Sequence, residues 1–239
     1  MEIILPPQGF LNIDILIEGI SFLTVLFFSV LCIKNYRMNK DKKFLYLGGG
    51  FGLITIAQFI ITVVKAVLYY DASFIGMNGE IVIPYNIFNF VTIFYNGGIF
   101  AYRGLILLGL YLVYKVPKKV FEKDSLLVLY LIIIITIFSK DAVQLFHITE
   151  LTLLTLIILK YYEVHSKNKS KGTFILMMAF GGLALSNAMF IFVKLMTPIY
   201  SVAGLIELAS YITLLIVIVR IIEYGKNNGK KTKQNGYHL

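Results

Sequence analysis

The sequence predicts an all-α fold, a polytopic bundle of seven transmembrane helices without a separate soluble domain. Hydrophobic residues make up 58% of the 239 residues, whereas a soluble domain is roughly 45–50% apolar. The mean hydropathy is +0.81. Apolar stretches of about 20 residues, which cross a bilayer core of about 30 Å as helices, follow one another along nearly the whole chain. We therefore expect residues 1–224 to form a single membrane domain.

The apolar stretches and the turn residues between them set the bounds of the spans. The third span is the longest, about 46 Å at 1.5 Å per residue, so we expect it to tilt or to project from the bilayer. The fourth span has few polar residues and is expected at the lipid-facing periphery. Residues 225–239 are basic and polar, and are predicted to form a disordered tail. In chain order the predicted spans are 12–33, 44–68, 84–114, 120–139, 142–164, 173–196 and 198–224.

The distribution of lysine and arginine predicts the orientation of the chain. Of the 22 basic residues, 18 lie at the ends of spans one, three, five and seven or in the segments that follow them, and the segment 71–80 has acids but no bases. Basic short loops favour the cytoplasmic side. We therefore expect the N-terminus outside, the C-terminus in the cytoplasm, and contact of the basic side with anionic lipid headgroups. This asymmetry accounts for the net charge of +9 better than binding to nucleic acid does.

Several classes of protein are disfavoured by what the sequence contains. The first positive charge, Lys34, follows the first apolar stretch, so we expect that stretch to be a retained span rather than a cleaved signal peptide. Cys32 is the single cysteine, and His147, His165 and His238 lack the spacing of zinc ligands. No metal, cofactor or catalytic motif is predicted. The residue composition is typical of an AT-rich prokaryotic genome, which suggests a prokaryotic cell membrane.

Polar residues within the spans form the predicted site. A charged side chain at the bilayer centre costs about 2.5–3.5 kcal/mol on insertion scales, so it usually faces a partner inside the bundle. Counting at 1.5 Å per residue from the basic ends places Arg103 and Glu207 at similar depths, about 18 and about 20 Å. We expect Arg103 to be buried and ion-paired with Glu207 or Glu150, either within a functional pocket or only to fix helix register. The predicted cluster consists of Arg103, Glu207, Glu150, Asn96, Asn187, Gln58, His147 and Glu18.

Outside that layer, Lys65 has two possible roles. It could pair with Asp14 and Glu18 near the outer side. Alternatively, its aliphatic stem could extend through the apolar region so that the ammonium reaches the outer membrane interface.

The last span carries a resemblance to known proteins. The stretch from Gly204 through Glu207 to Arg220 resembles the closing helix of small archaeal seven-helix proteins and of sensor-type input modules, and the layout resembles microbial rhodopsins and seven-helix receptors. A retinal protein needs a Schiff-base lysine in its last span, but the charged residues here are Glu207, Arg220 and Glu223. The resemblance therefore implies a sensor without retinal.

Two functions follow as alternatives. A sensor would bind a small ligand or ion in the polar centre and signal to a cytoplasmic partner or within a homo-oligomer. A transporter or channel would use Arg103 and the carboxylates along a permeation path. The sequence shows no evident similarity between spans one to three and spans five to seven, which favours the sensor. The non-polar fourth span could nevertheless link two triplets of helices, and a two-fold relation between them would favour the transporter.

Overall fold

The computed structural model describes residues 11–72, 85–116, 124–138, 143–193 and 198–235. In these ranges the chain is helical with short turns and contains no strand. Most of the predicted acidic segment 71–80 lies outside the described residues, as do the ends of the predicted fourth span. The helices are α1 Leu11–Asn39, α2 Lys42–Ala72, α3 Tyr85–Lys115, α4 Asp124–Phe138, α5 Val143–Asn168, α6 Lys171–Ile191 and α7 Pro198–Asn235.

Six of the described helices are long and apolar enough to cross a membrane, as expected for a multi-pass membrane protein. The exception is α4, which has 15 residues and a length of about 22 Å at 1.5 Å per residue. This is shorter than a bilayer core of about 30 Å. The crossing by the fourth span therefore stays a prediction.

The last helix is longer than the sequence indicated. We predicted that it ends at residue 224 and that a disordered tail follows, but α7 continues to Asn235. Extending an existing helix adds a backbone hydrogen bond for each residue that is fixed, so a polar segment can continue a helix that it would not start. The helix therefore ends later than the predicted span, and the disorder predicted for the tail stays a prediction.

Helix contacts close six helices into a ring. In order around it, α1 packs on α2, α2 on α3, α3 on α5, α5 on α6, α6 on α7, and α7 on α1. In the described part of the chain, the helix α4 packs against the outside of this ring, on α3 and α5. Tyr130, Ile133 and Phe138 on α4 are each more than half exposed. The prediction that the fourth span is peripheral is confirmed for its described residues.

The two triplets of the ring, α1–α3 and α5–α7, share a repeated turn. Lys40 between α1 and α2 and Lys169 between α5 and α6 are the two non-glycine residues with positive φ in the described chain, at 55° and 46°. Each amide donates to a carbonyl four residues earlier, at 2.7 Å in both cases. Each lysine follows an asparagine, and the two lysines are 129 positions apart. The same chain reversal therefore joins the first two helices of each triplet.

The same spacing of 129 relates the buried faces of α2 and α6. Every buried residue of α6 lies 129 positions after a buried residue of α2. Two of these pairs, Leu47 with Leu176 and Phe51 with Phe180, are identical. Two polar members, Gln58 and Asn187, are also equivalent. The other pairs are Gly50 with Ala179, Ile54 with Leu183, Thr55 with Ala184, and Ala57 with Ser186.

The buried residues of the remaining helices also correspond between the two triplets, although the spacing differs for α3 and α7. The described buried residues of α5 all lie 129 positions after buried residues of α1. In α3 and α7, a spacing of 104 aligns most of the buried residues of α7 with buried residues of α3. The aligned pairs are Ile17 with Phe146, Thr24 with Leu153, Val25 with Leu154, and Phe28 with Ile157; then Ile99 with Ala203, Ile106 with Ser210, Leu107 with Tyr211, Leu110 with Leu214, and Val113 with Val217.

One equivalent pair meets at the centre of the ring. The rings of Phe51 on α2 and Phe180 on α6 lie 6.3 Å apart between centroids, although α2 and α6 are not neighbours around the ring. Equivalent residues can touch only near the axis that relates them. The positions of the buried residues and of the α1–α2 and α5–α6 turns thus recur in two three-helix repeats, α1–α3 and α5–α7, with α4 between them in the chain. This similarity was not evident from the sequence alone.

The orientation can be tested by labelling cysteines in intact cells. In a Cys32→Ala background, we expect a membrane-impermeant thiol reagent to label Gly79→Cys, in the predicted outer segment beyond the described residues, and to spare Lys169→Cys in the exposed α5–α6 turn. The basic asymmetry is the reason for this expectation. The reverse labelling pattern would invert the orientation.

Candidate functional site

An ion-pair layer connects α1, α2 and α7 toward one end of the ring. The ammonium of Lys65 forms a salt bridge with Glu18 and another with Asp14, at 3.2 Å from Oδ2. It also donates to the hydroxyl of Tyr200 at 3.0 Å, and this hydroxyl donates to Asp14 Oδ1 at 3.1 Å. Asp14 and Glu18 are one helical turn apart, so both carboxylates face the same lysine. Of the two predicted roles of Lys65, the structure shows the ion pair.

A second group of polar residues, which we call the amide layer, includes Gln58, seven residues before Lys65 on α2. Its Nε2 donates to Glu207 Oε1 at 3.2 Å and to the Tyr211 hydroxyl at 3.3 Å, both on α7. These bonds cross the interior, because α2 and α7 are not neighbours around the ring. Gln58 is 1% exposed, and its Oε1 is buried without a hydrogen-bond partner among the described residues.

The equivalent residue in the second repeat, Asn187, completes the amide layer. Its Oδ1 lies 2.9 Å from His147 Nδ1 on α5, so that nitrogen carries the proton. Asn187 also interacts with Glu150, and Glu150 lies within electrostatic range of Glu207. We define the amide layer as Gln58, Asn187, Glu150, Glu207 and Tyr211. It brings together one amide from the first repeat, Gln58, and an amide, two carboxylates and a tyrosine from the second repeat.

An aromatic layer lies on the other side of the amide layer. Phe51 and Phe180 each precede their repeat's amide by seven residues, about 10 Å along a helix, in the direction of the basic turns. Phe28 packs on Phe51 at 4.3 Å between centroids, and Tyr161 on Phe180 at 5.7 Å. Phe51 and Phe180 are almost completely buried. The aromatic layer, Phe28, Phe51, Tyr161 and Phe180, therefore closes the interior toward the basic side.

Arg103 and Asn96 lie elsewhere in the bundle. Both line a cavity of about 340 Å³ between α3 and α4, together with Gly97, Phe100 and Thr136. Arg103 is buried, as predicted, and its guanidinium lies 5.6 Å from the centre of the Phe146 ring. Its described contacts do not include Glu207 or Glu150, whose partners are the amides Gln58 and Asn187. The pairing of Arg103 with either carboxylate stays a prediction.

The structure thus groups most of the predicted site residues, but in different layers. Glu18 belongs to the ion-pair layer, while Gln58, Glu150, Asn187, Glu207 and the adjoining His147 surround the interior. Sequence reasoning missed the roles of Tyr200, Tyr211, Phe51 and Phe180. Aromatic residues in apolar helices give no signal distinct from lipid-facing or core packing, so only their three-dimensional neighbours identify them.

These features define a helical membrane protein in which six helices, in two repeats, surround a polar interior. No protein-family model, curated protein or solved structure was found to match the chain.

Proposed function

We propose that the protein is a small transporter of a prokaryotic cell membrane, with its N-terminus outside, that binds its substrate in the amide layer. The observation that carries this proposal is the internal repeat, with the equivalent amides Gln58 and Asn187 both buried in the bundle. Secondary transporters are commonly built from such repeats, with the substrate site near the midplane at the repeat interface. The sequence alone had favoured a sensor.

The layers above and below the site support this mechanism. On one side, the aromatic layer joins the two repeats through Phe51 and Phe180. On the other, the ion-pair layer joins α2 to α1 and α7 through Lys65. The contact of Phe51 with Phe180 and the hydrogen bond of Lys65 to Tyr200 both cross between the two repeats, so these contacts would break if the repeats rocked about the site. Opening them alternately would expose the amide layer to one side at a time.

Alternating access predicts the reactivity of a cysteine in the amide layer. In a Cys32→Ala background in proteoliposomes, we expect Asn187→Cys to react with an impermeant thiol reagent added from either side. Reaction would require each of the two closing layers to open in turn. The rate from each side is measured by the mass shift of the labelled protein.

The matched control is Lys169→Cys, exposed in the basic turn. It should react only from the side of that turn and so reports the sidedness of the preparation. Reaction of Asn187→Cys from one side only would contradict transport and favour a sensor.

A sensor is the second candidate, and the specific observation in its favour is the length of α7. Tyr200, Glu207 and Tyr211 lie on this helix, which continues to Asn235. The 15 residues after Arg220 extend it by about 22 Å at 1.5 Å per residue. A ligand that moved Glu207 could shift this basic extension relative to anionic lipid headgroups, a cytoplasmic partner or a second copy of the chain. The resemblance to sensor-type membrane proteins agrees with this alternative.

A further inference from the structure

We infer that the ligand of the amide layer is a small organic compound with a primary ammonium group, bound between Gln58 and Glu207. This inference rests on the proposed binding of a substrate at that layer, whichever function the binding serves.

The charges of the buried side chains in the ion-pair and amide layers favour a ligand with a positive charge. The described ion pairs join Lys65 to Asp14 and Glu18. Among the described side chains, Glu207 accepts a hydrogen bond from the neutral amide of Gln58, and it lies within electrostatic range of Glu18, Glu150 and Lys65. The described residues of the ion-pair and amide layers together contain four carboxylates but one lysine, so a further cation beside Glu207 would lower the electrostatic cost of burying these carboxylates.

The hydrogen bonds of Gln58 indicate that the ligand carries a hydrogen-bond donor. The amide nitrogen of Gln58 is used by Glu207 and Tyr211, so the amide must present its oxygen, Oε1, to another group. That oxygen is buried and has no partner within the described part of the chain. A buried acceptor without a donor loses the free energy of a hydrogen bond. A ligand ammonium could donate to Gln58 Oε1 and to the Glu207 carboxylate at once.

The neighbouring layer contains an ammonium in a similar setting. The ammonium of Lys65 is held by two carboxylates and a tyrosine hydroxyl, with its Nζ 5.7 Å from the centre of the Tyr200 ring. The amide layer offers the same groups, two carboxylates and Tyr211, but no lysine. Among the described residues, no three His, Cys, Asp or Glu side chains are grouped to hold a metal ion. The groups of the amide layer match those that hold an ammonium in the neighbouring layer.

The test is calorimetric titration of the purified full chain in lipid nanodiscs. The probe is n-butylammonium, and tetramethylammonium serves as a cation without N–H donors. We expect saturable binding of n-butylammonium and binding of tetramethylammonium weaker by about tenfold or more, since a hydrogen bond to a charged group contributes about 1.5–3 kcal/mol. Equal binding of both cations, or a response to sodium or potassium chloride equal to that of n-butylammonium, would overturn the inference.

Variants locate the binding. Gln58→Met removes the acceptor at similar volume and should weaken n-butylammonium binding by about tenfold; Glu207→Gln, which removes the charge, should weaken it at least as much. Gln144→Met makes the same chemical change on α5, outside the amide layer, and should leave binding unchanged. Binding unaffected by both Gln58→Met and Glu207→Gln would overturn the inference.

The result is separable from the test of transport. Binding of n-butylammonium together with one-sided reactivity of Asn187→Cys would support the ligand class and reject the transporter. Two-sided reactivity without binding of n-butylammonium would support the transporter and overturn the ligand class.

Discussion

Replacing Lys65 with methionine is expected to lower the free energy of unfolding by about 3 kcal/mol, the lower end of the range for breaking a buried ion pair. Methionine keeps most of the side-chain volume but leaves Asp14 and Glu18 without the ammonium between them. The side chains keep some solvent exposure, 16% for Lys65 and 6% for Asp14. We therefore do not expect the full free-energy cost of leaving a completely buried charge unpaired. Unfolding in mixed micelles, followed by circular dichroism, measures the change.

The control is Lys34→Met, which removes a lysine from the exposed end of α1. It should change stability by less than about 0.5 kcal/mol, as surface substitutions usually do. The combination Lys65→Met, Asp14→Asn, Glu18→Gln should recover much of the loss, because it also removes the unpaired carboxylates. A loss from Lys65→Met no greater than that of the control would show that the ion-pair layer contributes nothing to stability.

Hydrophobicity and charge predicted the main features of this fold. Span length follows from the thickness of the bilayer, so the third span, predicted at 84–114, differs by one residue at each end from α3, Tyr85–Lys115. The low polarity of the fourth span also placed it correctly outside the ring. These features depend on the length and polarity of each helix by itself, and both can be read from a single sequence.

Relations between helices were harder to predict. Equal depth suggested Arg103 as a partner of Glu207, but depth gives no information on rotation about the helix axis, so it did not predict the hydrogen bond from Gln58 to Glu207. The repeat was missed because equivalent positions share burial rather than identity. Ile17 corresponds to Phe146 and Thr24 to Leu153, pairs that are interchangeable in a membrane interior but dissimilar as letters.

The contact between α2 and α3 yields the second large expected effect. Gly50→Ala should lower the free energy of unfolding by about 1–3 kcal/mol, the usual cost of overpacking. A Cβ on Gly50 would lie 2.7 Å from the backbone oxygen of Gly109 and 2.9 Å from Val113 Cγ2. The backbone oxygen cannot move without shifting the helix, so α3 must retreat from α2. Close approach at small residues is a common basis of helix packing in membranes.

Its neighbour provides the matched control for this prediction. A Cβ on Gly49 meets nothing within 4 Å, so Gly49→Ala should be neutral or should stabilise by about 0.5–1 kcal/mol through helix propensity. The repeat adds a second comparison, because Ala179, which has a methyl group and is buried, occupies the position equivalent to Gly50. Equal effects of Gly50→Ala and Gly49→Ala in the same unfolding assay would contradict the close contact of α2 with α3. A destabilisation confined to Gly50→Ala would confirm that α2 and α3 pack closely at this glycine.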